Sequence, residues 1–370
     1  MTRLAIRNLF QSKTRLVISV GGVALALLLI LTLDAIFAGV ERQVTAYIDQ
    51  SGADVIVSQS GVRTMHMAAS SLPAESVEEV ESLPGVESVT PILYVTNVVS
   101  AGEERNLAYI IGLPRAAKAG GPWEVALGSK EPGPGEAIMD RGVAEKSGVG
   151  LKDTVEILGQ KFEIVGLSRG TASFVNSVAF ISMEDFARLR ASPGVVSYLM
   201  VRLEDGQSPE AMAQRIERQL GNVTAQTRDE FTRQERKVIK DMSTDVIAIM
   251  NLVGLLIGLA VMALTVYTAT LARRAEYGVL KALGARGSQL VHSVVAQALL
   301  SVALGFLLGL AFTVALGIVI PRVVPNLSLL VRWESLLKVG SASLLIAAVS
   351  AILPIRQIAR LDPAMVFRRM

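Results

Sequence analysis

The sequence predicts a membrane protein with four transmembrane helices and a large extracytoplasmic α+β domain held between helices 1 and 2. Three observations predict it. Of 370 residues, 51% are hydrophobic and 19% charged, with a mean hydropathy of +0.47, whereas a soluble chain carries about a quarter charged residues. The apolar excess is gathered into four runs. Charge is segregated as well: residues 41–240 hold 21 Lys/Arg and 27 Asp/Glu, net −6, and the remainder holds 15 and 6, net +9. That positive excess flanks the apolar runs instead of clustering on one folded domain, which favours membrane topology and argues against a nucleic-acid partner.

The first run, Leu16–Leu33 within a span placed at residues 16–40, follows a basic amphipathic segment over residues 1–15. A cleaved signal peptide is the competing reading, since Ile36-Phe37-Ala38 faintly resembles a cleavage site. Signal cores run about 7–15 residues, and this one is longer, so a retained anchor is the preferred reading. The second span covers Val246–Ala272, the third residues 291–321 and the fourth Val339–Ile355. Each reaches the roughly 17–25 residues that a bilayer requires, the fourth only with help from its flanks, and Trp333 suits an interfacial anchor.

Orientation follows from the flanks. Arg3, Arg7, Lys13 and Arg15 precede the first span, Arg273, Arg274, Lys281 and Arg286 join the second to the third, and Arg356, Arg360, Arg368 and Arg369 follow the fourth. Only Glu276 and Asp362 oppose them. The positive-inside rule puts all three segments, and so both termini, in the cytoplasm. The block at 41–227 and a loop at 322–338 then lie outside, and residues 356–370 form a cytoplasmic tail.

Within 41–227 short strands alternate with helices. Strands are predicted at Asp54–Ser58, Val86–Val99, Leu107–Gly112, Thr154–Leu158, Lys161–Leu167, Val178–Ile181 and Tyr198–Leu203. Helices are predicted at Pro73–Leu83, Asp140–Ser147, Met183–Arg190 and Pro209–Leu220, and a turn at Pro132–Glu136. The domain reads as α+β, in two lobes. It shows no nucleophile elbow, no zinc-protease motif and no carboxylate pair set for acid–base work, which leaves a membrane-bound hydrolase without a catalytic group. Cysteine is absent, so disulfides and thiolate metal sites are excluded. The triplet Met65-His66-Met67 could ligate a soft metal or haem, but a loop triplet without partner ligands is more often incidental.

Residues 228–245 are charged and helix-permissive, with Phe231, Val238, Ile239 and Met242 near helical spacing, and they enter the second span without Gly or Pro. One helix from Arg228 to Arg274 would be about 70 Å long, more than twice the hydrocarbon core of about 30 Å. It reads as a stalk, the alternative being a kinked connector at Asp241–Asp245. Gly254-x-x-x-Gly258 and Gly305-x-x-x-Gly309 place small residues on one face of spans two and three, for close helix packing. Asp34 is the one carboxylate inside an apolar run. Near the outer end, it reads as interfacial or cavity-lining, with a proton relay as the alternative.

The link Arg273-Arg-Ala-Glu-Tyr-Gly-Val-Leu-Lys-Ala-Leu-Gly-Ala-Arg286, within a cytoplasmic segment at 273–290, is too short to fold alone. It reads as an amphipathic helix at the membrane surface that ends at Gly284, its apolar side needing lipid or a protein groove. Lipid adhesion explains the basic residues but not Glu276 among them. Here the sequence resembles the MacB/FtsX superfamily of ABC transporter permeases. That family's Glu-x-Gly-x-Leu-Lys-Ala-Leu-Gly-Ala motif is matched at Glu276, Gly278, Leu280, Lys281, Ala282, Leu283, Gly284 and Ala285, with Tyr277 replacing a more usual aliphatic residue. Leu4–Leu9 resembles its opening helix, Pro354–Pro363 its closing segment, and Pro84–Val89 and Val178–Phe186 parts of its outer domain.

The resemblance implies a bacterial inner-membrane permease, a homodimer or a heterodimer with a similar permease, docked on two ABC ATPase subunits. Arg274, Glu276, Tyr277, Gly278, Leu280, Lys281, Leu283 and Gly284 would form the ATPase-coupling helix. The chain has no phosphate-cradling Gly-rich loop ending in Lys-Ser/Thr, so it is expected to bind no cofactor, with ATP and Mg held by the ATPase. The implied function is extrusion of an amphiphilic or hydrophobic substrate (drug, lipid, peptide or haem) from the outer leaflet. The alternative is a mechanotransmitter that activates an extracytoplasmic partner without transport.

Overall fold

A computed structural model describes residues 13–66, 68–173, 176–191, 193–324 and 327–359. In chain order the first helix is α1, Lys13–Val44. Its 32 residues span about 48 Å, so it continues well past its apolar run. The outer block follows with α2 (Ala46–Asp49), β1 (Val55–Gln59), β2 (Leu72–Pro73), α3 (Ser76–Glu81), β3 (Val86–Ala101), β4 (Glu104–Leu113), β5 (Val125–Gly128) and β6 (Glu136–Asp140). Then come α4 (Arg141–Lys146), β7 (Thr154–Ile157), β8 (Gln160–Ser168), β9 (Ser177–Ser182), α5 (Met183–Arg190), β10 (Val195–Val196), β11 (Tyr198–Leu203), α6 (Pro209–Leu220) and β12 (Val223–Thr227). The remaining helices are α7 (Arg228–Ala272), α8 (Arg274–Ala282), α9 (Gly287–Val323) and α10 (Trp333–Ala359). Four of these helices, α1, α7, α9 and α10, are long and apolar enough to cross a membrane.

Contacts divide the chain into two units. One is built from described residues up to 39, 243–324 and 328 onward, and the other from 40–242 with Leu327.

The outer unit has two parts that share strand β3. Strands β12, β1, β11 and the first half of β3 form an antiparallel sheet in that order. Counted along the chain, the order is fourth, first, third, second, with α3 and α6 as crossovers: the split β-α-β arrangement of ferredoxin-like folds. Val55, Val57, Leu199 and Val201 face Val80, Met212 and Ile216 of the two helices. Helix α6 starts where the sequence dictates: Ser208 Oγ accepts the Ala211 N–H at 3.3 Å, and Pro209 sits in the first turn, where its missing N–H costs nothing.

From Leu93 onward β3 pairs with β4 instead, and its last residues also pair with β7. The pairings β4–β9, β9–β6, β6–β8 and β8–β7 complete a ring of six strands. Closure leaves those strands no open edge within the ring. Its interior holds Ala108, Ile110, Ala137, Met139, Phe162, Ile164, Ala179 and Ile181. Alternate residues of β4 and β9 (Tyr109, Ile111, Val178, Phe180) point the other way into a second core, shared with Ile56, Tyr198 and Met200 of the four-stranded sheet. These strands are buried on both faces, which is why they read as near-continuous apolar runs. Five strands differ from the sequence reading: the two-residue β2 and β10, which pair with each other, and three in the main sheet. β5 and β12 were not predicted, and β6 begins at Glu136, inside the predicted turn. Each is short or mixed in polarity, and tertiary pairing overrides its weak local pattern.

In the membrane unit α1 is the most enclosed of the four long helices. Val23, Leu27, Ile30 and Leu31 pack with Met262, Val266, Val294, Val302, Ile346 and Ala347. Helix α10 begins at Trp333, so Lys338 belongs to its first turns and not to the preceding loop.

Candidate functional site

Helix α8 and its exit come first. Tyr277 is 3% exposed and packs with Leu290 and Val294, with Leu280 laid against the same cluster, and Gly278 is buried beside it. Burial raises the Tyr277 phenol above its usual range; the nearby Arg273 charge opposes the rise and that of Glu276 adds to it. Arg274 and Glu276, one on each flank of that anchored side, are exposed, as is Leu283 at the C-cap, where 79% of it is open, while Lys281 is half-buried. The apolar side expected to need lipid or a groove is therefore largely satisfied by the chain's own helices.

The helix stops by a specific device. The Ala285 N–H reaches the Leu280 carbonyl at 2.9 Å and the Gly284 N–H reaches that of Lys281 at 3.2 Å. This is a Schellman stop, which needs a left-handed residue after the C-cap, and Gly284 supplies it with φ +93°. Any side chain there would be strained. Arg286 and Gln289 then cap α9, with the Arg286 N–H donating to Gln289 Oε1 at 3.1 Å.

The small residues of the spans face the chain's own first helix. A β-carbon at Gly305 would lie 2.7 Å from Val23 Cγ1 and 3.3 Å from the Ala24 nitrogen, and one at Gly309 3.1 Å from the Ala24 oxygen. At Gly254 it would meet Ile30 at 2.6 Å, and at Gly258 both Ile346 at 2.8 Å and Ala26 at 3.2 Å. Backbones approach closely because side chains are missing. Asp34, read from sequence as interfacial or cavity-lining, is in an ion pair: Lys338 Nζ lies 3.1 and 3.3 Å from its two oxygens. Close by, the Leu330 N–H donates to the Ala35 carbonyl at 2.9 Å.

The outer unit holds a polar cluster that the sequence reading did not assemble. Glu235, 1% exposed, lies in the first turns of α7. It accepts the Met65 backbone N–H and sits 2.5 Å from His66 Nδ1, and His66 Nε2 meets the Tyr109 hydroxyl. Edge-to-face ring contacts continue from His66 to Tyr109, Tyr94, Tyr198 and Phe231. Phe231 lies one helical turn before Glu235. Burial pushes the Tyr94, Tyr109 and Tyr198 phenols above their usual range, so all three keep their protons at neutral pH. On another side Asp49 accepts the Thr232 hydroxyl at 2.7 Å and lies 3.7 Å from Arg236. Both His66 ring nitrogens are engaged, and among the described residues no group of three His, Cys, Asp or Glu could hold a metal ion. Met67 lies outside the described residues, as do Leu4–Leu9 and the closing segment from residue 360 on. The spacing of Phe231, Val238, Ile239 and Met242 was legible as a helix pattern, but nothing local pointed to Glu235 or to its partner His66, 169 residues away.

Comparison with known proteins covers nearly the whole chain. Residues 16–219 match the family model for the MacB-like periplasmic core domain, and residues 248–363 match that for the FtsX-like permease C-terminal region. An uncharacterised ABC transporter permease of Methanocaldococcus jannaschii is 20% identical, over 97% of this chain and 95% of its own length. One from Mycobacterium tuberculosis is 24% identical, over 98% of each. A macrolide export ATP-binding/permease protein MacB of Shewanella oneidensis is 24% identical over 98% of this chain and 59% of its own length.

Proposed function

The chain belongs to the MacB/FtsX-type permeases of ABC transporters, multi-pass membrane proteins with a large extracytoplasmic domain, and from that premise we propose that it couples ATP hydrolysis in a separate ATPase to extrusion of an amphiphilic or hydrophobic substrate from the outer leaflet. The observation that carries the reading is the exposed surface of α8 and its end: Arg274, Glu276 and, at the C-cap, Leu283 stand open on a helix that Tyr277 and Leu280 anchor to the spans. A docking surface needs both properties. The anchored side passes on force, and the open side, bounded by Lys281 and the Gly284 stop, receives the partner.

In this reading two ATPase copies, holding ATP and Mg, bind a dimer of this chain from the cytoplasm, where both termini also lie. The match to a named ATP-binding/permease protein over 59% of that protein's length fits a chain that carries the permease role. Helix α7 would give the motion its route: 45 residues of continuous helix, about 68 Å along its length, with Asp241–Asp245 inside it.

Glu276→Lys tests the dock, because it reverses an exposed charge at the proposed interface while leaving the anchored side intact. The ATPase should be lost from pull-downs of a normally inserted chain. Recovery at wild-type yield with full ATP-driven activity would defeat the proposal. Substrate class is tested on the reconstituted complex. Stimulation of ATP hydrolysis by a lipid, haem or drug supports extrusion, and stimulation only by a soluble extracytoplasmic protein supports mechanotransmission.

A further inference from the structure

We propose that Glu235, with Phe231 one turn before it, is the grip by which helix α7 carries both parts of the outer unit as one body. The inference rests on the coupling reading above and names the residues that make it work at the outer end. A helix that transmits motion must be fixed against both rotation and sliding where it meets its load. Apolar contact alone resists sliding weakly, because one methyl group can replace another at small cost. A buried carboxylate resists it strongly: moved by a single residue, it would leave its own oxygens and two donors buried and unpaired, which is costlier than any exchange of apolar contacts.

The connections form a closed circuit. It leaves the helix at Glu235, passes through His66 to Tyr109 on β4, crosses to Tyr94 on β3 and Tyr198 on β11, and returns at Phe231. Those three strands belong to different parts of the unit. β4 lies in the six-stranded ring, β11 in the four-stranded sheet, and β3 is shared by both. Touching all three ties the two parts to the helix through rigid side chains. Phe231 is fully buried, and Glu235 follows at i+4 on the same helix face. The Asp49 contacts with Thr232 and Arg236 hold an adjacent face, so rotation is opposed as well. Glu235 is a positioning residue, acting through the strands and touching no substrate.

The chain has no cysteine, so spin labels can be placed on an otherwise unaltered protein. Asp241 and Lys161 are exposed, the first on α7 and the second on β8. In the full chain with its ATPase, a single label at Asp241→Cys reports whether vanadate trapping moves the helix. The pair Asp241→Cys with Lys161→Cys reports whether the outer unit follows. The wild-type background should show a changed spectrum at 241 and one narrow 161–241 distance in both nucleotide states. Glu235→Ala should lose the narrow distance on trapping only, His66→Ala should lose part of it, and Tyr109→Phe, which removes one hydroxyl and leaves the ring, should lose least.

A narrow, unchanged distance in Glu235→Ala while the 241 label still responds would overturn the proposal. So would a loss equal in both nucleotide states, the mark of a merely structural defect, or a loss that His66→Ala does not share. A silent 241 label in the wild-type background would show that the coupling reading itself has failed, and the grip would fall with it.

Discussion

The root of α7 and the surface of α8 are finished in opposite ways. At the root, Phe231 and Glu235 are buried against strands and loops of the same chain, and each polar atom of Glu235 has a partner within it. On α8 the anchored side is closed by Tyr277 and Leu280, while Leu283 and Glu276 stand in the open. One region is complete within the chain. The other is left open, as the proposed dock requires. The contrast teaches where force would leave the molecule: a load must be held tightly, and an engine must be able to dock.

Substitutions at the two places should therefore differ in what they cost. Phe231→Ala removes a fully buried ring and should destabilise the outer unit by about 3–5 kcal/mol, measured by denaturant unfolding of the purified chain. A cost near zero would break the picture of a rooted helix. Gly305→Leu forces a side chain into Val23 and the Ala24 backbone, and should cost about 1–3 kcal/mol or prevent correct assembly of the spans. Unchanged thermal unfolding in detergent would show that α1 and α9 yield more easily than their close approach suggests. Lys338→Ala should cost about 1 kcal/mol or less, because half of the lysine side chain is exposed and pairs of that kind are weak; the same unfolding curve reads it. Leu283→Ala should leave stability within about 0.5 kcal/mol, yet weaken ATPase recovery in pull-downs. A large stability loss there would mean that α8 is finished inside the chain after all.

The spans were legible because lipid imposes a long, uncharged run on each, a signal that no local exception erases. The stop at Gly284 was legible too, since a glycine after a short amphipathic helix has one common use, and the backbone shows that use. The strand pattern emerged where both faces are buried, as in Val178–Ile181, and faded at β5 and β12. Long-range polar pairing left no trace in local pattern. Asp34 was singled out as a lone carboxylate, but its lysine lies 304 residues on, and Lys338 read as part of a polar loop. His66 drew notice only through its methionine neighbours, whereas its chemistry is set by Glu235 and Tyr109, brought to it by two separate crossings of the fold. The apolar side of α8 was read as a surface in need of a partner. Packing assigns most of it to the bundle: Tyr277 is buried in one cluster with Leu290 and Val294.

The proposed coupling depends most on which side of the membrane α8 occupies. With no native cysteine to interfere, Leu283→Cys and Lys161→Cys can each be treated in intact cells with a membrane-impermeant maleimide. Labelling is expected at 161 in intact cells, and at 283 only after the cells are permeabilised. Labelling at 283 in intact cells would contradict the coupling, because an ATPase in the cytoplasm could then never reach the surface assigned to it.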